Sequence, residues 1–129
     1  MSILKASYAD KKNNLNKLEE IASLKEDWDH KGAKAFSREQ IMKVRDLIIF
    51  LSVQPEIIPT ACGTIQLEYE KENGAYLEFE IKEDDIIRIY EEHPEGKNSG
   101  EIVDADIGTI NRIVQDFYKS EDFVCVKCK

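Results

Sequence analysis

Gly63-Thr64-Ile65-Gln66-Leu67-Glu68-Tyr69-Glu70 and, after a short polar break, Ala75-Tyr76-Leu77-Glu78-Phe79-Glu80-Ile81-Lys82 decide the fold. Apolar and polar residues alternate with period two in both segments, the pattern of a half-buried β-strand. The alternation sends Ile65, Leu67, Tyr69, Leu77, Phe79 and Ile81 inward and Glu68, Glu70, Glu78 and Glu80 outward. Register follows from the same pattern. A two-residue Asn73-Gly74 turn would set inward Tyr69 against outward Glu78. A three-residue loop, Glu72-Asn73-Gly74, sets Tyr69 against Leu77, Leu67 against Phe79 and Ile65 against Ile81, with Gly74 in the left-handed position. The second register keeps each face uniform and is the one expected. Across Glu83-Asp84-Asp85 the same reasoning pairs Ile81 with Ile87 and Phe79 with Ile89, which puts Arg88 opposite Glu80 and Tyr90 opposite Glu78. Residues 63–92 therefore read as a three-stranded antiparallel meander.

Upstream, Leu15, Leu18, Ile21, Ala22 and Leu24 recur at helical spacing, which predicts a helix from Asn14 to about Lys25. Ser37-Arg38-Glu39-Gln40 reads as a capping box opening a second helix, the Gln40 side chain reaching back to Ser37. Ile41, Val44, Leu47, Ile48 and Leu51 line one face of that helix, and Ile49 and Phe50 widen it, so it is expected to be the most buried. Pro55 and Pro59 end it and impose an extended lead into the sheet. Downstream, 93–100 has the composition of a long flexible loop. Ile107, Ile110, Ile113, Val114 and Phe117 predict a third helix starting near Asp104 or Asp106. Phe123-Val124-Cys125-Val126 reads as a short strand or a disordered tail. The order α-α-β-β-β-α implies an α+β two-layer sandwich, its three-stranded sheet covered by helices. Residues 1–129 form one domain, with 1–12 and 120–129 as loose ends.

The 129 residues are 42% hydrophobic and 34% charged, the balance of a globular protein with a well-solvated surface. The longest apolar run, Leu47 to Leu51, falls far short of the roughly 20 residues of a membrane span. No secretory h-region follows Met1, and three cysteines make no disulfide framework, so the expected compartment is the cytoplasm. Charge is divided unevenly. Residues 1–53 hold ten basic and eight acidic side chains, and residues 54–129 hold eight and eighteen, for a chain total of −8. The acidic half repels phosphates, which argues against direct nucleic-acid binding and for a basic protein partner. The sequence leaves the oligomeric state open.

Chemistry-bearing patterns are few. Cys125-Val126-Lys127-Cys128 supplies two zinc ligands where a structural site needs four. Cys62 with His93 or His30, or the same pair from a second chain, could complete it, but spacing signals neither, which leaves Cys125 and Cys128 as candidate ligands of an incomplete set. No metal or other cofactor is expected. Asp27, Asp29 and His30 are close enough in sequence for acid–base work. The plainer reading makes Asp29 and Gly32 turn residues around a buried Trp28. No nucleophile elbow or phosphate loop is present, and no enzyme is expected. Glu68, Glu70, Glu78 and Glu80, with Arg88 at their border and Tyr76 and Tyr90 as aromatic anchors, form the candidate partner-binding face. The alternatives are an inhibitor that mimics nucleic acid through rows of carboxylates, and a small enzyme built on the Asp27, Asp29 and His30 turn.

Trp28-Asp29-His30-Lys31-Gly32-Ala33, the proline-containing link and Gly63-Thr64-Ile65-Gln66-Leu67-Glu68-Tyr69 together resemble a loose family of small bacterial α+β proteins. Its marks are a W-D-x-x-G-A turn between two helices and a G-x-I-x-L-E-[W/Y] strand. The resemblance spans about residues 15–90. It implies the helix-pair-plus-sheet fold and, through members associated with toxin–antitoxin or phage-conflict gene pairs, a neutralising role. His30 stands where glycine is frequent in that turn. The resemblance implies no catalytic residue.

Overall fold

The computed structural model describes residues 8–127, with side chains described for 9–119. Helix α1 (Tyr8–Ala22) and helix α2 (Arg38–Phe50) precede five strands: β1 (Glu56–Pro59), β2 (Ile65–Glu70), β3 (Tyr76–Ile81), β4 (Ile86–His93) and β5 (Gly96–Val103). Helix α3 (Ile107–Lys127) closes the order. The strands form one antiparallel sheet in sequence order, β1-β2-β3-β4-β5.

The protein is α+β, but the expected three-stranded meander and α-α-β-β-β-α order are overturned: the order is α-α-β-β-β-β-β-α and the sheet is a five-stranded meander. Its central registers are those the alternation predicts: Tyr69 faces Leu77, Glu68 faces Glu78, and Glu80 faces Arg88. Lys71 N donates to Ala75 O at 2.9 Å and Gly74 N to Lys71 O at 2.9 Å, closing the expected loop. Gly74 has φ 90, where a Cβ would be strained. Both added strands lie at the flanks. The proline-containing lead is itself β1, with Pro59 at its end on an edge that asks for no donor. Residues 93–100, read as a loop, are the tip and most of the second arm of a hairpin, because only Pro94 and Glu95 separate His93 from Gly96.

All three helices cover one face. Ile57, Ile65, Leu67, Leu77, Phe79, Ile81 and Ile87 from the sheet pack against Leu18, Ile21, Val44, Leu47, Ile48, Ile110, Val114 and Phe117. Each fully buried side chain of this size contributes about 1.5–3 kcal/mol. Ser37 caps α2 by accepting from Gln40 N at 3.1 Å, as the capping box requires. The return half of the box is absent. Gln40 is buried, and its Nε2 donates instead to Gly63 O and Ile81 O, at 2.8 and 2.9 Å. Tertiary acceptors in the sheet outcompete the local one, and the side chain ties α2 to the β2 and β3 ends.

Other helix limits differ as well. Helix α1 begins at Tyr8, inside the segment read as a loose end, and stops at Ala22. Lys11 Nζ donates to Ile49 O and Asn14 Nδ2 to Pro55 O, both at 3.0 Å, so this early turn is held by α2 and the lead to β1. Phe50 is 61% exposed, and the buried face of α2 is narrower than its composition suggests. Asp106 starts α3 by accepting from Thr109 N at 2.7 Å, and the helix runs through the segment read as a strand or tail. Among the described residues no helix is long and apolar enough to cross a membrane.

Candidate functional site

Among the described residues no helix covers the outer face of the sheet, and alternation determines what it displays. One cross-strand row runs Glu56, Glu68, Glu78, Tyr90, Ser99. A second runs Ile58, Gln66, Glu80, Arg88, Glu101, and a third Glu70, Tyr76, Glu92, Lys97. All the predicted partner-binding residues, Glu68, Glu70, Tyr76, Glu78, Glu80, Arg88 and Tyr90, are thereby gathered on one surface. Glu92 joins them from the end of β4, and Glu56 and Glu101 from flanking strands whose alternation the sequence does not display.

Charge is compensated in only part of this face. Glu80 accepts from Thr64 Oγ1 at 2.9 Å and pairs with Arg88 at 3.5 Å. Among the described residues no cation forms an ion pair with Glu56, Glu68, Glu70 or Glu78. Neighbouring strands stand about 4.8 Å apart, so Glu56, Glu68 and Glu78 are three adjacent like charges. Partial burial raises the Glu68 carboxyl above its ordinary value, and the charges of Glu78, Glu56 and Glu70 push the same way, against a Tyr76 hydrogen bond.

Two tyrosines sit within the acid. Tyr76 Oη donates to Glu78 Oε1 at 2.7 Å and Tyr90 Oη to Glu92 Oε1 at 2.8 Å, their ring centroids 6.2 Å apart. Burial and then the hydrogen bonds to Glu78 and Glu68 raise the Tyr76 hydroxyl, so it stays a donor. For Tyr90 the bond to Glu92 is the main cause of an upward shift. The result is a paired aromatic patch with carboxylates on both sides.

The turn between α1 and α2 uses its acids differently. Asp27 Oδ1 accepts from Gly32 N at 2.7 Å, and Asp29 Oδ1 accepts from Lys31 N at 2.8 Å and Ala33 N at 3.0 Å. The Lys31 bond is the main cause of a lowered Asp29 carboxyl. Asp27, His30 and Gly32 have φ of 66, 62 and 89, so three left-handed residues fold the chain around these carboxylates. The His30 side chain is exposed, and among the described residues no ion pair joins its ring to either carboxylate. Trp28 is half-buried, where the sequence suggested a buried ring. Its Nε1 donates to Lys34 O at 2.8 Å and its ring lies 6.2 Å from Phe36, so it closes the turn from the side.

His93 was expected in a loop and stands instead on the helix-facing side of β4, where continuing the alternation from Ile87 and Ile89 through Glu91 places it. His93 Nε2 lies 2.7 Å from Glu91 Oε2, and the ring is 5.8 Å from Phe117. Glu91, His93, Asn98, Asp116 and Phe117 line a cleft of about 570 Å³ between the β4–β5 hairpin and α3. Lys71 Nζ lies 4.4 Å from the Phe117 ring centroid and donates to Phe117 O. Among the described residues no three His, Cys, Asp or Glu side chains are grouped to hold a metal ion. Cys62 is an exposed free thiol, and the side chains of Cys125 and Cys128 lie outside the described residues.

Compared with protein-family models, curated proteins and solved structures, the chain matches none of them.

Proposed function

We propose that this protein is a non-enzymatic protein-binding module, of antitoxin or immunity type, whose open sheet face neutralises a basic partner. The observation that carries the reading is the row Glu56, Glu68, Glu78, three uncompensated carboxylates on adjacent strands beside the Tyr76–Tyr90 pair. Opposed like charges weaken a sheet, and partial burial adds to the strain by raising Glu68. A cationic surface relieves the repulsion and offsets the burial of Glu68 by pairing its charge, so binding is favoured by the same repulsion that the free protein tolerates. The rings supply rigid contact area and the carboxylates steer encounter.

The turn acids support a binding role over an enzymatic one, since Asp27 and Asp29 are committed to backbone N–H groups. The test is co-purification with the product of the neighbouring gene, using wild type and Glu68→Gln/Glu78→Gln. A basic neighbour that binds the wild type and binds the variant at least about tenfold more weakly, roughly 1.4 kcal/mol, supports the reading. Equal binding by both proteins removes the outer face from the function.

A further inference from the structure

The two edges of the sheet are finished differently. Strand β1 is four residues long, contains Pro59 and has α1 beside it. These are common ways of blunting an edge against further pairing. Strand β5 is eight residues long, has no proline, and is exposed along nearly its whole length on both faces. Its pairing with β4 shows which backbone groups remain available. The two-residue loop forces His93 and Gly96 to exchange both of their hydrogen bonds, and hydrogen-bonded pairs then alternate along the ladder. The bond from Asp104 N to Asp85 O, 3.1 Å, falls where that alternation puts a bonded pair. Lys97, Ser99, Glu101 and Val103 therefore point their N–H and C=O groups away from β4, along the free edge.

We propose that this edge pairs with the β5 edge of a second copy, making one continuous ten-stranded antiparallel sheet with Ser99 on the two-fold axis. Backbone polarity admits only registers in which outward-pointing residues meet each other. Among these, the register centred on Ser99 sets Lys97 of each copy opposite Glu101 of the other. Centring one residue earlier or later sets Lys97 against Ser99 or Val103 and leaves the charges unmatched. The Ser99-centred register makes about six N–H···O bonds. It also gives two reciprocal ion pairs on the outer face, and on the inner face it brings Asn98 against Gly100, where nothing bulky obstructs. The acidic row is set back from the seam. Glu78 lies two strands away, about 10 Å, which is close to the screening length at ordinary salt. A second copy fits better than an unrelated strand because the Lys97–Glu101 complementarity is self-contained. It rests on the edge and not on the acidic row, so it stands or falls apart from the partner-binding reading.

Sedimentation equilibrium of the full chain tests this. The wild type is expected at twice 14.9 kDa over a concentration range where Ser99→Pro sediments at 14.9 kDa. Proline at 99 removes an edge donor and blocks approach while leaving the β4–β5 hydrogen bonds intact, so the circular dichroism of the two proteins should match. Glu101→Lys, which sets lysine against Lys97, should weaken the dimer at least tenfold, and adding Lys97→Glu should restore part of it. These two variants also decide the matter if Ser99→Pro does not fold. A wild type that sediments as a monomer throughout overturns the proposal. So does a dimer indifferent to both Ser99→Pro and Glu101→Lys.

Discussion

Glu68 and Glu78 face each other directly across the β2–β3 ladder, and Glu56 stands on the far side of Glu68. Replacing both with glutamine keeps side-chain length and keeps an acceptor for the Tyr76 hydroxyl. Urea unfolding of Glu68→Gln/Glu78→Gln should show a gain of a few tenths to about 1 kcal/mol. If the face binds a basic partner, the same protein should associate more slowly, most of all at low salt where steering is strongest. Higher stability with slower association is the pattern of residues retained for binding at some loss to the fold. Lower stability would mean that the carboxylates make contacts the glutamines cannot.

The pH dependence of single variants should separate two kinds of acid. Glu68 has a folded-state pKa above its unfolded value, so the folded protein holds that proton more tightly. Its unfavourable contribution is full at neutral pH and fades as pH falls through the folded pKa. Asp29 is the reverse case, with its folded pKa lowered chiefly by the Lys31 backbone bond. Its contribution is favourable above the unfolded pKa and is lost as pH falls through the folded one. Thermal melts of Glu68→Gln should therefore exceed wild type near neutral pH and converge on it toward acid. Melts of Asp29→Asn should fall below wild type near neutral pH and converge at lower pH still. Parallel curves for either variant would contradict the assignment.

How much of this was readable in the chain depended on whether a strand had a face to bury. Strands β2 and β3 alternate because one side meets helices, and their register followed from that alone. Strand β5 buries almost nothing, so Gly96-Lys97-Asn98-Ser99-Gly100 carries no period, and its composition is that of a loop. Strand β1 is too short to show a period and contains proline. The outer-face acids were legible for the strands that alternate, and Glu56 and Glu101, on the flanking strands, were not. The inward turn of His93 continues the alternation of β4, but its place just before Pro94 and Gly96 gives it the composition of a loop. Gln40 satisfied the capping-box pattern, which cannot reveal that carbonyls distant in sequence compete for its amide.

His30 has φ 62, a left-handed conformation that glycine adopts freely and other residues adopt at a penalty of about 1–2 kcal/mol. Its imidazole is exposed, and the turn hydrogen bond it makes, N to Asp27 O at 3.0 Å, uses only backbone. Glycine gives back part of the gain through the greater freedom of the unfolded chain. The net expectation for His30→Gly is a gain of roughly 0.5–1 kcal/mol in urea unfolding. A destabilised variant would show that the side chain contributes to the turn.

Gln40 offers the sharpest check on how the helical layer is fastened to the sheet. Its amide donates to Gly63 O and Ile81 O from a buried position, joining α2 to the start of β2 and the end of β3. Gln40→Ala removes both bonds and leaves space behind, for a loss of roughly 2–4 kcal/mol. Gln40→Glu keeps the shape but brings a carboxylate oxygen against two carbonyl oxygens in a buried setting. At neutral pH it should be at least as damaging as alanine. Burial raises the pKa of the introduced glutamate in the folded state, so its penalty must shrink as pH falls and the acid gains a proton to donate. Urea unfolding of both variants near neutral pH and near pH 5 reads the difference. The glutamate variant should recover on acidification relative to wild type while the alanine variant does not. Parallel behaviour of the two would mean that residue 40 acts by filling space and not by donating hydrogen bonds.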